Sequence, residues 1–233
     1  MSKRAVILAG GKGTRLKPYT ISLPKPLVPV GDVPILEIII RQLKKHGFTH
    51  ITLTVNHMAE IIQAFFGDGS KWGIKIDYSL EKKALSTMGP LTLIDDLPDH
   101  FLVMNGDVLT DLDFSNFFDT HVNRNECFTI ASYKRLDKVE YGVLTGDNNG
   151  YLVKFEEKPF KEYLVSMGIY MMSKKNIEYI PKETFFGFDH LMNKLIEEGN
   201  YPYLQPYEGF WLDIGRPSDY EKALEEFKEA KFL

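Results

Sequence analysis

The stretch Arg4-Ala5-Val6-Ile7-Leu8-Ala9-Gly10-Gly11-Lys12-Gly13-Thr14-Arg15 decides the architecture. Residues 4–9 form a short apolar run that stops abruptly at two glycines. A run of this length without polar alternation reads as a strand buried on both faces, the kind found in parallel sheets. Three glycines in the next four positions let the backbone approach an anion and turn its N–H groups inward, a nest that suits phosphate. Lys12 and Arg15 add positive charge, and Arg can grip a phosphate through two hydrogen bonds. The turn is not a Walker A loop, because no Gly-Lys-Ser/Thr closes it, and the glycine spacing is wrong for a dinucleotide fingerprint. An ordinary glycine-rich strand-to-helix turn is the plain alternative; Thr14-Arg15 favours phosphate.

Downstream, a loop holds four prolines (Pro18, Pro24, Pro26, Pro29), and Pro34 opens a helix that runs to about residue 46. The pattern then predicts a strand at 50–55, a helix at 58–66, a strand at 74–78, a helix at 90–96 and a strand at 101–104, which ends at Asn105-Gly106-Asp107. This alternation means βαβ units and a mostly parallel sheet, with ligands bound outside the carboxyl ends of the strands. The glycine turn and Asn105-Gly106-Asp107 both follow strands, so they fall at the same edge. The second half has strand-like runs at 128–133, 142–144, 151–156 and 165–172, with an Asp147-Asn148-Asn149-Gly150 turn. It reads as a mixed-sheet portion laid against the first half. Helices are expected at 174–179, 189–198 and 218–230, the last with Ser218 as N-cap and Glu221 closing a capping box. With no repeats, low-complexity tract or linker, one α/β domain over residues 1–233 is the simplest account, a mostly parallel central mixed sheet flanked by helices.

The formal net charge of -4 argues against broad nucleic-acid binding, though it leaves room for a local basic pocket. Cys127 is the only cysteine, so no intrachain disulfide forms, and its apolar surroundings at 126–131 predict a buried structural thiol. The N-terminus lacks a signal peptide's apolar core, and no run approaches the roughly 18 apolar residues of a membrane span. A cytoplasmic protein without a membrane partner is expected. The six histidines (46, 50, 57, 100, 121, 190) lack metal-ligand spacing, and each is expected at the surface or a helix end. Covalent catalysis through His or Cys is not expected.

Lys25 sits between two prolines on a stiff backbone, a preorganised cation, although an isolated Pro-Lys-Pro is more often a solvated loop. Asp107 follows a buried strand, where a carboxylate commonly holds Mg²⁺; that ion takes only one or two protein carboxylates plus waters and phosphates. A simple turn is the alternative. Phe210-Trp211-Leu212-Asp213-Ile214-Gly215 presents a second carboxylate, and the sequence does not itself bring the two together. Glu157 and Lys158 could take sugar hydroxyls and a phosphate, or could end an exposed hairpin.

Taken in order, these motifs resemble the sugar-phosphate nucleotidyltransferases: Gly10-Gly11-Lys12-Gly13-Thr14-Arg15-Leu16, Pro24-Lys25-Pro26, Asn105-Gly106-Asp107, Tyr141-Gly142-Val143, Phe155-Glu156-Glu157-Lys158-Pro159 and the segment 209–215. The resemblance covers almost the whole chain. It implies a Rossmann-like nucleotidyltransferase fold with a nucleotide-binding half (roughly 1–110) and a sugar-phosphate-binding half (111–233). It implies catalytic roles for Arg15, Lys25 and Asp107, with Arg15 on the leaving pyrophosphate and Lys25 on the reacting phosphates. Leu8, Gly10, Gly11, Gly13, Thr14, Glu81, Thr87, Gly89 and Asn105 would bind the nucleoside triphosphate. Gly142, Glu157, Lys158 and Ser166 would bind the sugar 1-phosphate, and Asp107 and Asp213 would hold Mg²⁺. The sugar phosphate is already an anionic nucleophile, so no strong general base is required.

Two departures stand out. Leu85-Ser86-Thr87-Met88-Gly89 replaces the frequent Leu-Gly-Thr-Ala-Gly, and Ser166-Met167-Gly168 replaces Asn-Ala-Gly. The plainer expectation is that the two methionines pack against each other beneath the site; the sharper one is a reshaped sugar pocket. The proline-rich loop and the 210–215 ending are similar to the mannose-1-phosphate guanylyltransferase branch and its heptose and uridylyl relatives, which puts GTP first and UTP second. Many relatives carry a C-terminal β-helix; this chain stops soon after the Asp213 motif, so no such domain is expected. A homo-oligomer is left open, as are a catalytically silent homologue that binds nucleotide sugars and a glycosyltransferase, whose Asp-x-Asp pattern Asp111-Leu112-Asp113 fits.

Overall fold

The run at 4–9 becomes strand β1 (Lys3–Leu8) in the computed structural model, which describes residues 3–226. Ala5, Val6 and Ile7 are fully buried, as a central strand of a covered sheet requires. A small hairpin, β2 (Pro29–Val30) and β3 (Val33–Pro34), leads into helix α1 (Ile35–Lys45). There follow β4 (Phe48–Val55), α2 (Ala59–Phe66), β5 (Lys75–Leu80), β6 (His100–Asn105), the short β7 (Val108–Thr110) and α3 (Phe114–Asn123). The second half contributes β8 (Phe128–Lys138), the hairpin β9 (Val143–Gly146) and β10 (Leu152–Glu156), β11 (Phe160–Ser173), α4 (Phe188–Glu197), β12 (Tyr203–Tyr207), β13 (Trp211–Asp213) and α5 (Pro217–Glu226).

Seven strands form one mostly parallel sheet in the order β12-β8-β11-β6-β1-β4-β5. Only β11 runs antiparallel to its neighbours β6 and β8. The second half is therefore not a separate portion laid against the first: β11 pairs directly with β6, Ile169 opposite Met104. The cause is that β8 and β11 carry fully buried runs at 128–132 and 167–173, which only a central position can cover.

Side chains alternate between two cores. Ala5, Ile7, Leu102 and Met104 face one cluster with α1, α2, α3 and α5, while Val6, Phe101 and Val103 face another with α4. Met167 falls in the first cluster and Met88 in the second, so the expected methionine pair does not form; the sheet lies between them. The helix expected at 90–96 is a 3-10 turn, Gly89–Leu93, opened by Pro90, and 174–179 is likewise 3-10. Helix α5 starts at Pro217 rather than behind a Ser218 cap: the Asp219 carboxylate accepts from the Arg216 N–H at 2.9 Å. The expected stretch 227–230 lies outside the described residues. Cys127 is half-buried just before β8, and burial raises its thiol pKa. Among the described residues no helix is long and apolar enough to cross a membrane.

Helix α3 was not anticipated. Its Phe114, Phe117, Phe118 and His121 form one buried face at helical spacing, and the Asp113 carboxylate caps it, accepting from the Asn116 N–H at 2.9 Å. His121 lies at a helix end, in the last turn of α3, but is fully buried there: its Nδ1 lies 2.8 Å from Thr129 Oγ1 and its Nε2 3.1 Å from His100 Nδ1. Burial, then the neighbouring His100, lowers its pKa from 6.5 to about 4. A group that resists protonation only in the folded chain contributes stability above pH 6.5 and loses it as pH falls through about 4. The loss is about 3 kcal/mol once protonation is complete. Denaturant titrations between pH 7 and pH 4 should show this acid sensitivity in the wild type and a shallower slope in His121→Gln.

Candidate active site

The carboxyl ends of β1, β4 and β6 open onto two adjoining cavities that share Leu8, Gly11 and Asp107 as walls. The smaller, about 260 Å³, is lined by the glycine turn with Thr14 and Arg15, together with Lys25, Asp107 and Gly215. The larger, about 430 Å³, is lined by Gly10, Lys12, Asn56, Glu81, Thr87 and Asn105 among others. The turn and Asn105-Gly106-Asp107 meet at one rim because both extend the sheet: Ala9 N–H donates to Thr54 O at 2.9 Å and Gly106 N–H to Leu8 O at 3.0 Å.

Two glycines of the turn lie close against their neighbours. Gly13 sits at φ +61°, and a Cβ there would come within 2.9 Å of Thr20 Cγ2; the Thr20 hydroxyl donates to its carbonyl at 2.7 Å. A Cβ on Gly10 would lie 2.8 Å from Glu81 Oε1. Gly11 differs, since nothing lies within 4 Å of its Cβ position: it faces the open space where an anion would approach.

The second carboxylate arrives by backbone pairing. Strand β13 runs antiparallel to β7 with Asp213 opposite Val108, and the Ile214 N–H donates to the Asp107 carbonyl at 3.0 Å. Asp213 and Asp107, remote in sequence, are therefore neighbours. Asp213 is exposed as a residue, yet desolvation of its carboxyl by the surrounding chain raises its pKa, and the Asp107 carboxylate raises it further, while Lys25 and Arg15 pull it back down. Lys25 Nζ makes an ion pair with Asp107 Oδ2. A Cβ on Gly215 would lie 3.7 Å from Asp213 Oδ2 and 3.8 Å from Arg15 Nη2, which puts those two side chains at one corner. Arg15, Lys25, Asp107 and Asp213 are thus gathered around the smaller cavity.

In the larger cavity, Glu81 is buried, its Oε2 accepts from the Leu85 N–H at 3.2 Å, and burial raises its pKa. Asn56 was missed by sequence reading. It donates to the Glu81 carbonyl at 2.9 Å, and its position just past β4, at the same strand edge as Asp107, was the available signal. Thr87 accepts from the Phe188 N–H at 2.8 Å, which links the cavity wall to α4. Gly89 is buried in that wall rather than on the cavity surface: its N–H donates to Phe186 O at 2.9 Å, and a Cβ would strike Thr184 O.

The four residues expected on the sugar phosphate are not gathered so closely. Gly142, Glu157 and Lys158 flank the β9–β10 hairpin and line neither cavity; a Cβ on Gly142 would lie 3.3 Å from Glu157 Oε2, so those two at least meet. Lys158 is exposed, at φ +44°. Ser166 sits at a bulge in β11, donates to Tyr170 Oη at 3.1 Å and accepts from the Gly168 N–H at 3.2 Å. Gly168, at φ +72°, admits the Asn105 side chain, whose Nδ2 would lie 2.6 Å from a Cβ there. This contact connects β11 to the wall of the larger cavity.

A glycine turn, two basic side chains and two carboxylates meet at the carboxyl rim of a covered, mostly parallel α/β sheet, the edge where ligands bind in such folds. The family model described as "Nucleotidyl transferase" matches residues 4–230, and the chain belongs to that family. It is 36% identical over 95% of its length to a UTP–glucose-1-phosphate uridylyltransferase of Synechocystis, of which it spans 62%. It is 34% identical over 93% of its length to the D-glycero-α-D-manno-heptose 1-phosphate guanylyltransferase of Campylobacter jejuni, of which it spans 96%. The crystal structure of HddC from Yersinia pseudotuberculosis complexed with GMP-PN superposes with a TM-score of 0.74 at 29% identity, covering 97% of this chain and all of that one.

Replacing Gly13 by Ala should destabilise the fold by roughly 1–2 kcal/mol, since it forces a left-handed residue to carry a Cβ against Thr20. Urea titration measures the loss; an unchanged midpoint would contradict the spatial requirement.

Proposed function

We propose that the protein is a sugar-1-phosphate nucleotidyltransferase, converting a nucleoside triphosphate and a sugar 1-phosphate into a nucleoside diphosphate sugar and pyrophosphate. The observation that carries this reading is the pairing of β7 with β13, which sets Asp107 and Asp213 together beside Arg15, Lys25 and the glycine turn. An oxygen of the sugar phosphate attacks the α-phosphorus, and the bond to the β-phosphate bridging oxygen breaks as pyrophosphate leaves. The barrier is mainly the repulsion between two polyanions. Arg15, Lys12, Lys25 and the inward N–H groups of the turn offset it and hold the reactants in line.

The residues fit Mg²⁺. Asp107 Oδ1 is a buried oxygen without a hydrogen-bond partner among the described residues, and Asp213 lies beside it. No cluster of three or more His, Cys, Asp or Glu side chains that could hold a metal occurs among the described residues. A pair of carboxylates is what Mg²⁺ uses when phosphates and waters complete its shell. When bound there, Mg²⁺ neutralises phosphate charge and orients the triphosphate.

GTP is favoured by Glu81. Guanine offers two adjacent donors, N1–H and the N2 amine, to a carboxyl group, whereas uracil offers one N–H between two carbonyl acceptors. UTP is the second reading, supported by the likeness to the Synechocystis uridylyltransferase. A mannose- or heptose-type 1-phosphate is the favoured acceptor, supported by the guanylyltransferase relative. The cytoplasm fits a reaction whose substrates are soluble phosphates.

A grid of four nucleoside triphosphates against hexose and heptose 1-phosphates, scored by pyrophosphate release with Mg²⁺, tests the activity; silence across the grid would favour a binding subunit. Arg15→Ala and Asp107→Ala should each lose on the order of 10²-fold or more in rate while keeping wild-type circular dichroism. Glu81→Gln should narrow the GTP-over-UTP ratio by about tenfold or more, measured as kcat/KM.

A further inference from the structure

Behind Asp213 lies a clamp made of Thr110, Asp111, Tyr207 and Gly209. Strands β7 and β13 are three residues each and stand outside the main sheet. So short a ladder specifies its register weakly, and because side chains alternate with period two, a slip of one residue would turn Asp213 to the opposite face. Something beyond the ladder must pin it.

Asp111 lies just past β7, on the same short segment as Asp107. Its Oδ1 accepts from the Phe210 N–H at 2.6 Å and from the Tyr207 hydroxyl, while its own N–H donates to the Phe210 carbonyl at 3.2 Å. Thr110 Oγ1 donates to that same carbonyl at 2.8 Å. Phe210 is thereby gripped on both its N–H and its C=O, one residue before β13 begins. Gly209 is part of the device: a Cβ there would fall 2.1 Å from Tyr207 Oη and 2.7 Å from Asp111 Oδ1. The near side is anchored too, since Gln42 Nε2 in α1 donates to the Thr110 carbonyl at 2.7 Å. Burial, then the hydrogen bond to Asp111, raises the Tyr207 pKa, which keeps the hydroxyl a donor throughout the neutral range.

We infer that Asp111, with Tyr207 and Gly209, is a positioning clamp that sets the register of β13 and thereby the placement of Asp213 against Asp107 for a divalent cation. The inference rests on the metal reading given under Proposed function. The Asp-x-Asp pattern of a glycosyltransferase is then accounted for otherwise: Asp111 holds a strand and Asp113 caps a helix.

Partners that orient metal ligands typically cost about 10–100-fold in metal affinity when removed. Mn²⁺ serves as the probe, titrated into the full chain by electron paramagnetic resonance with GTP and, in a parallel arm, UTP, and without sugar phosphate, so that no turnover enters. Asp111→Ala should weaken Mn²⁺ binding about tenfold. Asp111→Asn, which keeps an oxygen acceptor, should restore most of it. Tyr207→Phe, a milder change that keeps the ring, should lose affinity in the same direction by less, and it guards against an Asp111→Ala chain that fails to fold. Asp213→Ala is the reference for a lost ligand. If the wild type binds no Mn²⁺ in either arm, the metal reading falls and this inference with it. If the wild type binds and Asp213→Ala does not, yet Asp111→Ala and Tyr207→Phe bind like the wild type, the clamp alone is overturned. An Asp111→Asn chain as weak as Asp111→Ala also overturns it, because the acceptor oxygen would then not be what matters.

Discussion

Two carboxylates brought side by side repel, and the candidate site is organised around holding them there. The backbone ladder between β7 and β13 supplies the restraint: Asp213 stands opposite Val108, and the next N–H reaches back to the Asp107 carbonyl. The electrostatic cost is offset locally by Lys25, which pairs with Asp107, and by Arg15 at the Gly215 corner. Remove the ladder and the charges lose their common address.

The sheet makes this rim available. Parallel strands put all their carboxyl ends on one side, and that side is where backbone N–H groups, loop glycines and strand-end carboxylates can converge without unpaired polar groups entering a core. The antiparallel strand β11 extends this arrangement. By pairing with β6 it brings the 166–168 bulge beneath Asn105, so a contact between side chain and backbone joins the sheet's two halves at the cavity wall.

Much of this was legible from the chain alone. The buried strands β1 and β6 declared themselves as short apolar runs closed by Gly-Gly or Asn-Gly-Asp, and the residues after them could be placed at one edge by the rule for parallel sheets. The short elements could not be read, because three residues are too few to show a period, and β7, β12 and β13 went unanticipated. Helix α3 has a readable face in Phe114, Phe117, Phe118 and His121 and a cap in Asp113, although Asp111-Leu112-Asp113 also fits the Asp-x-Asp pattern of a glycosyltransferase. Met88 and Met167 illustrate the other limit. Similar local substitutions suggested a shared contact, yet Met88, in the turn before the 3-10 segment, packs in the cluster with α4, while Met167, in β11, packs in the cluster on the other side of the sheet.

Local sequence, then, determined which groups carry charge, where the backbone is free to approach an anion, and which strands must be covered on both sides, because those depend on residue chemistry and on neighbours a few positions away. Residue chemistry proposed Asp107 and Asp213 separately; the family resemblance named them as ligands of one metal but supplied no geometry that joins them. Their meeting depends on a hydrogen-bonded pairing between segments distant in the chain, and only the closed tertiary fold, with β13 returned alongside β7, decided it. The same holds for Glu157, recognisable in its motif: that it lines neither cavity is a property of the hairpin's placement and not of its sequence.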